Sequence, residues 1–437
     1  MNIPVVTVGQ SQEDLVGGLE RLHGPVTVVR RCGELAELLA ACQSGLARAA
    51  VVAEGTEELT ASLVDRLAAV GVSIVALSDD SVEVARLRGL GVVTASLGVD
   101  SATLASSIFD SVAQLSGQGS RRPGERDSGY ADTAAELRPS DVEEAAEPAP
   151  AGAGRIIAVW GPTGAPGRTL VAVNIAAELA AEGKPVILVD ADSYGASVAA
   201  SLGLLDESAG LAQACRLADQ GLLDAESLKR IAAPVFTRSG SFRVLTGITR
   251  ADRWTELRAS ALSSVLEHAM DIADIVVVDA GFCLEADEEL SFDSMAPRRN
   301  AATLRSIELA DTVYAVGAAD AIGVPRLVRG LAELERAVPQ AAPLVVLNKV
   351  RAASAGRSPE RELRDAWERY GPGSGIEVFL PSDTEACDAA LLSGAVLLEA
   401  APESALRHAI ARLVCAPGQQ NSKSSVIYSR ARRRLKR

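Results

Sequence analysis

Over the first 116 residues, short apolar runs alternate with amphipathic stretches. The runs "PVVTVG", "PVTVV", "AAVVAEG", "VSIVALS" and "VVTASLG" predict five strands. Between and after them "EDLVGGLERLHG", "GELAELLAACQSG", "TASLVDRLAAVG", "SVEVARLRGLG" and "SATLASSIFDSVAQL" carry the 3.6-residue spacing of helices. Strand runs that are apolar throughout, rather than alternating, predict a parallel sheet buried on both faces. The strict alternation of strand and helix predicts a doubly wound α/β domain.

The pattern then breaks. From Gly117 to Ala153 the chain reads "GQGSRRPGERDSGYADTAAELRPSDVEEAAEPAPAGA", with no apolar periodicity. Such a segment has too little apolar surface to offset its ordering entropy, so residues 117–153 are predicted to form a disordered linker. From residue 154 the alternation resumes. "RIIAVW", "PVILVDAD", "FRVLTG", "IADIVVVDAG", "DTVYAVGA", "PLVVLNKV" and "IEVFLPSD" predict seven strands, and "RTLVAVNIAAELAAEG" predicts a helix that stops at Gly183. Most of these strands end in polar or glycine-rich residues. Ligands gather at the carboxyl ends of open parallel sheets, so this edge is the predicted site.

Composition narrows the class. A hydrophobic content of 48% with 3% aromatic residues predicts cores of Ala, Val, Leu and Ile. The net charge of −14 argues against a protein coated in nucleic acid. Six scattered cysteines with no C-x-x-C pair read as small core residues in a reducing compartment. No apolar run is long enough to span a membrane, and no basic start leads into an apolar stretch. The expectation is a cytoplasmic protein. Charge is uneven, however: six of the last eight residues are Arg or Lys, and no acidic residue follows Glu403.

The candidate chemistry centres on "VWGPTGAPGRTL", between a predicted strand and a predicted helix. Such a loop binds phosphate by aiming backbone N–H groups and a helix N-terminus at its oxygens. Gly161, Gly164 and Gly167 permit the close approach, and Thr169 offers a hydroxyl to Mg²⁺. Against the G-x-x-x-x-G-K-[ST] pattern, Pro162 replaces the first glycine and Arg168 the lysine, while Pro166 removes a donor. Taken alone the loop reads equally as a turn without a ligand. Two further strands end in Asp190-Ala-Asp192 and in Asp279. A lone strand-end Asp is usually a cap, but two such strands after a glycine loop favour a nucleotide site.

Residues from about Gly154 to Cys415 resemble the MinD/ParA superfamily of P-loop ATPases, and the preceding receiver-like domain resembles the CpaE/TadZ-type branch. The resemblance rests on the loop, the D-x-D strand, "VAVNIAAELA", "VVVDAG", "VVLNKV" and a late "LPSDTEACDAALLSGAVLLEAAPESALRHAIARLV". It implies ATP and Mg²⁺ as cofactors. Gly164, Ala165, Pro166, Gly167, Arg168 and Thr169 would then form the phosphate cradle. Asp192, with Asp190, would orient attacking and metal-bound water, Arg168 would supply catalytic charge, and Thr169, Asp190 and Asp279 would serve the metal. Asn348 would read adenine and Pro381 would begin the loop flanking it.

Departures from the family pattern shape the expectation. Its signature lysine falls at Thr163 and its second lysine at Arg168, and guanidinium is not a like-for-like replacement. Binding with slow or absent hydrolysis is therefore expected, since catalysis needs charge where it develops. Arg298 and Arg299 could compensate by swinging to the phosphates, or could simply be a solvated loop. In the first domain Glu54 stands near a receiver's phosphoacceptor position and the fifth strand ends without lysine, which implies a pseudo-receiver for docking or dimerisation.

The organisation read from the chain is thus a receiver-like domain (1–116), a linker (117–153), a P-loop ATPase domain (154–416) and a basic tail (417–437). The function implied is a cytoplasmic, homodimeric, ATP-binding positioning protein. It would serve a polar, pilus/secretion or division-site (septum-determining) assembly. The alternatives are a ParA-like partition ATPase on DNA, or a scaffold that has lost nucleotide. The tail "SSVIYSRARRRLKR" suits peripheral contact with an anionic membrane, nucleic acid, or solvent alone.

Overall fold

The structure is a computed structural model that describes residues 3–9, 18–19, 26–117, 154–204, 209–285 and 298–414. The expected linker beyond Gly117, almost all of the expected first helix and the basic tail lie outside those residues. The chain divides into two units, built mainly from residues 1–153 and 154–437.

In the first unit β1 (Ile3–Val8), β2 (Val26–Cys32), β3 (Ala49–Val52), β4 (Ser73–Leu77) and β5 (Val93–Ala95) form one sheet in the order β2-β1-β3-β4-β5. Every neighbouring pair is parallel. Successive side chains supply opposite faces. Val6, Val8, Ala50, Val52 and Ile74 pack beneath Leu38, Leu63, Leu67 and Leu87. Val5, Ala49, Val51 and Val75 pack against Leu104, Ile108 and Val112 on the other side. Both faces of the central strands β1, β3 and β4 are covered, which is why these are almost wholly apolar, whereas the edge strand β2 exposes Arg30 and Arg31. Helices start where short polar side chains can take a free amide: Thr60 accepts from Leu63 N (3.3 Å) and Asp80 from Val82 N (2.9 Å).

The second unit holds an eight-stranded sheet in the order β13-β12-β11-β6-β10-β7-β9-β8. Its strands are β6 (Arg155–Trp160), β7 (Val186–Ala191), β8 (Ala233–Thr237), β9 (Gly240–Leu245), β10 (Ile275–Ala280), β11 (Thr312–Ala318), β12 (Pro343–Val350) and β13 (Ile376–Pro381). All pair parallel except β8, which runs antiparallel to β9. The pattern predicted seven strands here, and β8 is the eighth. It is short, carries Pro234, and alternates buried and exposed positions at the sheet edge. It is joined to β9 by a turn in which Gly240 N donates to Thr237 Oγ1 at 3.1 Å.

Helix Arg168–Ala181 follows β6 directly and is buried at every position from Val171 to Ala180. A helix apolar around its circumference must be enclosed, and this one lies between the sheet and the closing helices Thr384–Ser393 and Ala405–Val414. Its two polar core residues are both paired. Asn174 accepts from Leu397 N and donates to Leu170 O, each at 2.8 Å. Glu178 receives a two-pronged contact from Arg407 at 2.6 and 2.7 Å. The opposite face is covered by helices Gly210–Asp219 and Ala259–Ile272 near β7 and β10. Helices Gly323–Ala337 and Pro359–Tyr370 cover it near β11 and β12. Among the described residues no helix is long and apolar enough to cross a membrane.

Candidate nucleotide site

β10 lies between β6 and β7, with Asp279 registered against Asp190 on one side and Val159 on the other. Sheet order therefore gathers the glycine loop, the D-x-D turn and Asp279 at one edge, although residues 161 and 279 are far apart in sequence.

The loop backbone is unusual. Gly164, Ala165 and Gly167 all have positive φ, at 109°, 50° and 97°. The left-handed conformation costs a residue with a Cβ roughly 1–2 kcal/mol. Ala165 must therefore be held there by its surroundings. The support comes from the end of β12. Asn348 Nδ2 donates to Pro166 O at 2.7 Å, and Lys349 Nζ donates to Ala165 O at 2.8 Å. Lys349 itself has φ 61°. A Cβ at Gly167 would collide with the Asn348 amide, so the glycine and this contact need each other. Past the loop, the first helical N–H groups, from Arg168 to Leu170, have no carbonyl within the helix to donate to.

The loop's arginine is turned inward. Arg168 Nη1 donates to Gly161 O at 2.9 Å and Nη2 to Asp192 Oδ2 at 3.0 Å, with the guanidinium 5.9 Å from the Phe282 ring. The other oxygen of Asp192 caps its own turn, accepting from Tyr194 N (2.8 Å) and Gly195 N (3.1 Å). Thr169 Oγ1 donates to Asp279 Oδ2 at 2.6 Å and lies 3.1 Å from Ser197 Oγ.

Asp190 and Asp279 are each 1% exposed. Asp190 accepts from Val198 N at 3.0 Å and Asp192 N at 3.3 Å, yet burial pushes its carboxyl up to about 6. Asp279 is raised well above the carboxylate range, first by burial and then by the neighbouring charge of Asp190. Its Oδ1 is buried and makes no hydrogen bond. Buried oxygens are almost always paired. An unpaired carboxylate oxygen beside a threonine hydroxyl suits the water shell of a divalent cation, although the described residues form no cluster of three His, Cys, Asp or Glu side chains that would ligate one directly. The residues present thus fit Mg²⁺.

The expected site residues fall into two groups. Arg168, Thr169, Asp190, Asp192 and Asp279 come together with the loop. Asn348 is 2% exposed, and its amide is taken up by Pro166 O and by Lys349 N, which donates to Asn348 Oδ1 at 2.8 Å. Here it supports the loop. Pro381 ends β13 opposite Val350, two residues past Asn348. Arg299 is not a solvated loop residue: its guanidinium lies 4.0 Å from the Tyr194 ring, and its carbonyl accepts from Ser193 Oγ at 3.2 Å. Tyr194 in turn donates to Asn300 Oδ1 at 2.9 Å and contacts Phe282 at 4.7 Å between rings. The pattern reading missed Lys349, whose only sequence signal is its place next to Asn348 near the end of β12, and Gly247. A Cβ at Gly247 would meet Asp190 Cγ at 2.8 Å.

Comparison with known proteins agrees with this geometry. Residues 152–230, which include the loop and the D-x-D turn, match the ParA family model described as an NUBPL iron-transfer P-loop NTPase. No curated protein sequence matches the chain. Among solved structures, a ParA family ATPase from Chlorobium tepidum is 20% identical and covers 60% of this chain and 99% of its own, with a TM-score of 0.50. The cell division ATPase MinD of Pyrococcus furiosus is 20% identical over 60% of this chain and 97% of its own, with a TM-score of 0.46. The septum site-determining protein MinD of Pyrococcus horikoshii, solved with Mg-ADP, is 18% identical over 60% and 94%, with a TM-score of 0.45. The second unit has the fold of the ParA family ATPase from Chlorobium tepidum.

Proposed function

We propose that the second unit binds ATP–Mg²⁺ on the 161–169 loop and works as a CpaE/TadZ-type positioning protein whose output is nucleotide occupancy rather than rapid turnover. The observation that carries this reading is the pairing of Thr169 with Asp279 beside an arginine folded back onto Asp192. The first pair suits a metal–nucleotide complex, in which Thr169 and Asp279 would hold the ion and Asp190 its water shell. The second leaves the loop without a cation directed outward, so binding depends on backbone amides and the metal. When bound, Mg²⁺ would neutralise phosphate charge. Asp192, occupied by Arg168 and by its own turn, is poorly placed to accept a proton from water. Slow hydrolysis follows.

The first unit supports the role of a pseudo-receiver. Its strand order is that of flavodoxin-type doubly wound sheets. Glu54 follows β3, and Ser96 follows β5 and donates to Asp79 at 2.5 Å. Residues 1–117 contain no lysine, so the charge pair of a phosphorylation switch has no cationic member of that kind. A docking or dimerisation module for a protein assembly fits these residues.

The test is calorimetry of ATP–Mg²⁺ binding to wild type and Arg168→Ala, with phosphate release followed in the same samples. Magnesium-dependent binding with little release supports the reading. Rapid release returns the protein to the energy-consuming class, with a DNA track tested by salt-sensitive retention. Absence of binding leaves the scaffold reading.

A further inference from the structure

Against the outer edge of the loop is a cavity of about 480 Å³. One wall is the loop itself, at Thr163, Gly164 and Pro166. The other carries Arg326, from the first turns of helix Gly323–Ala337, and Arg351, immediately after β12. We propose that Arg326 and Arg351 form a phosphoryl-anion site at the loop's outer edge, supplying in cis the outward-facing positive charge that Thr163 and the inward-turned Arg168 do not. The inference rests on the nucleotide reading above and deepens it by naming the residues that recognise a terminal phosphate.

Three observations carry it. First, loop and arginine are fitted to each other: a Cβ at Gly164 would stand 2.5 Å from Arg326 Nη1, so a side chain there would displace the guanidinium. Second, neither guanidinium forms a direct ion pair with a described residue, whereas Arg168 is paired with Asp192. The charge of Arg351 is close enough to the Asp320 carboxylate to help lower its pKa. The carboxylate in the cavity wall, Asp320, is committed through Oδ1 to Ile322 N (3.0 Å) and Gly323 N (2.7 Å). Third, both guanidinium groups line the same cavity beside the loop. A phosphoryl group there is met from two directions, since guanidinium takes its oxygens through a planar fork. Its source is either the terminal phosphate of a nucleotide on the same loop or that of a nucleotide held by a second copy of the chain.

The experiment compares wild type, Arg326→Gln with Arg351→Gln, and Arg326→Lys, all as full-length chain. Binding of ATP–Mg²⁺ and of ADP–Mg²⁺ is measured by calorimetry, with thermal melting to confirm folding. Both arginines are exposed, so the variants should melt as wild type does. The double variant is expected to lose about tenfold in ATP affinity, a single charge-assisted contact's worth. ADP affinity should stay unchanged, and Arg326→Lys should recover part of the loss. Equal loss for ATP and ADP, or none for either, overturns the proposal.

If wild type binds neither nucleotide, the nucleotide reading fails on its own account, and titration with inorganic triphosphate then decides this site. Binding that the double variant loses sustains it; no binding, or binding unaffected by the variant, overturns it. The source is read from sedimentation with ATP–Mg²⁺. Self-association that the double variant loses assigns the phosphate to a second copy, and an ATP preference held by a monomer assigns it to the same chain.

Discussion

Arg168 Nη2 lies 3.0 Å from Asp192 Oδ2, so the cation that opens the loop helix is matched by a carboxylate from the neighbouring D-x-D turn. The pair is largely enclosed, with side-chain exposures of 13% and 7%. A phosphate entering the loop competes with Asp192 for the same guanidinium. Asp192→Asn should therefore tighten ATP–Mg²⁺ binding. Asparagine can keep Oδ1 on Tyr194 N and Gly195 N, so the turn survives while Arg168 loses its countercharge. An affinity gain of about three- to tenfold is expected, the scale of a partly buried ion pair. Calorimetry on the two proteins checks it. Equal or weaker binding by the variant would mean that the pair positions Arg168 rather than holding it back.

Asn348 supports the loop through Pro166 O. Asn348→Ala removes that contact and leaves the left-handed Ala165–Gly167 backbone without part of its brace. ATP and GTP affinities should then fall together, by about fivefold for one lost buried hydrogen bond. The ratio between the two nucleotides is the decisive readout, because a base-reading amide would change that ratio when removed.

The contrast between these residues shows what the sequence could convey. The glycine loop was legible because a strand, three spaced glycines and a helix start occur in one short stretch. Asp190 and Asp279 were legible as strand ends. Their convergence, however, depends on β10 lying between β6 and β7, which no local pattern encodes. The turn of Arg168 toward Asp192, and the brace from Asn348 and Lys349, are contacts between strands distant in sequence and depend on the same sheet order. The β8–β9 hairpin was missed for a different reason. With Pro234 inside it and Phe236 78% exposed, β8 lacks the apolar run by which the other strands were found. The Arg326 cavity arises only where the helix after β11 is brought against the loop.

In the first unit, Glu83 accepts from Arg86 at 2.8 and 2.7 Å, and these bonds hold its carboxyl below the ordinary value of 4.5. The folded form thus binds this proton less readily than the unfolded chain. Its contribution is fully present above about pH 4.5 and is lost as pH falls through the lowered folded value. Arg86 also donates to Thr56 O (2.7 Å) and Leu59 O (2.9 Å), so the acid response should reach that turn. Amide protection at 56–59 and 83–90, that is, exchange measured against the intrinsic rate at each pH, should fall as pH drops below about 4.5, by an amount worth about 1 kcal/mol. Glu83→Gln should show the lower protection already at neutral pH, with the acid dependence flattened. An unchanged pH profile in the variant would assign the response to another group.

Asp279 tests the cost of keeping the site ready for a cation. Its carboxylate is buried beside Asp190, with Oδ1 unpaired, an arrangement that opposes folding unless a cation is bound. Asp279→Asn removes the charge and can retain the oxygen that accepts from Thr169. The nucleotide-free protein should gain on the order of 1 kcal/mol, or roughly 2–4 °C in melting temperature for a domain of this size. The same variant should lose the magnesium-dependent part of any stabilisation by ATP, because the residue paired with Thr169 no longer carries charge for the ion. Melting curves of both proteins with ATP, with and without magnesium, read the two effects together. A variant that is less stable without nucleotide would show that Asp279 is a structural hydrogen-bond partner of Thr169, and the case for a metal at this sheet edge would lose its main support.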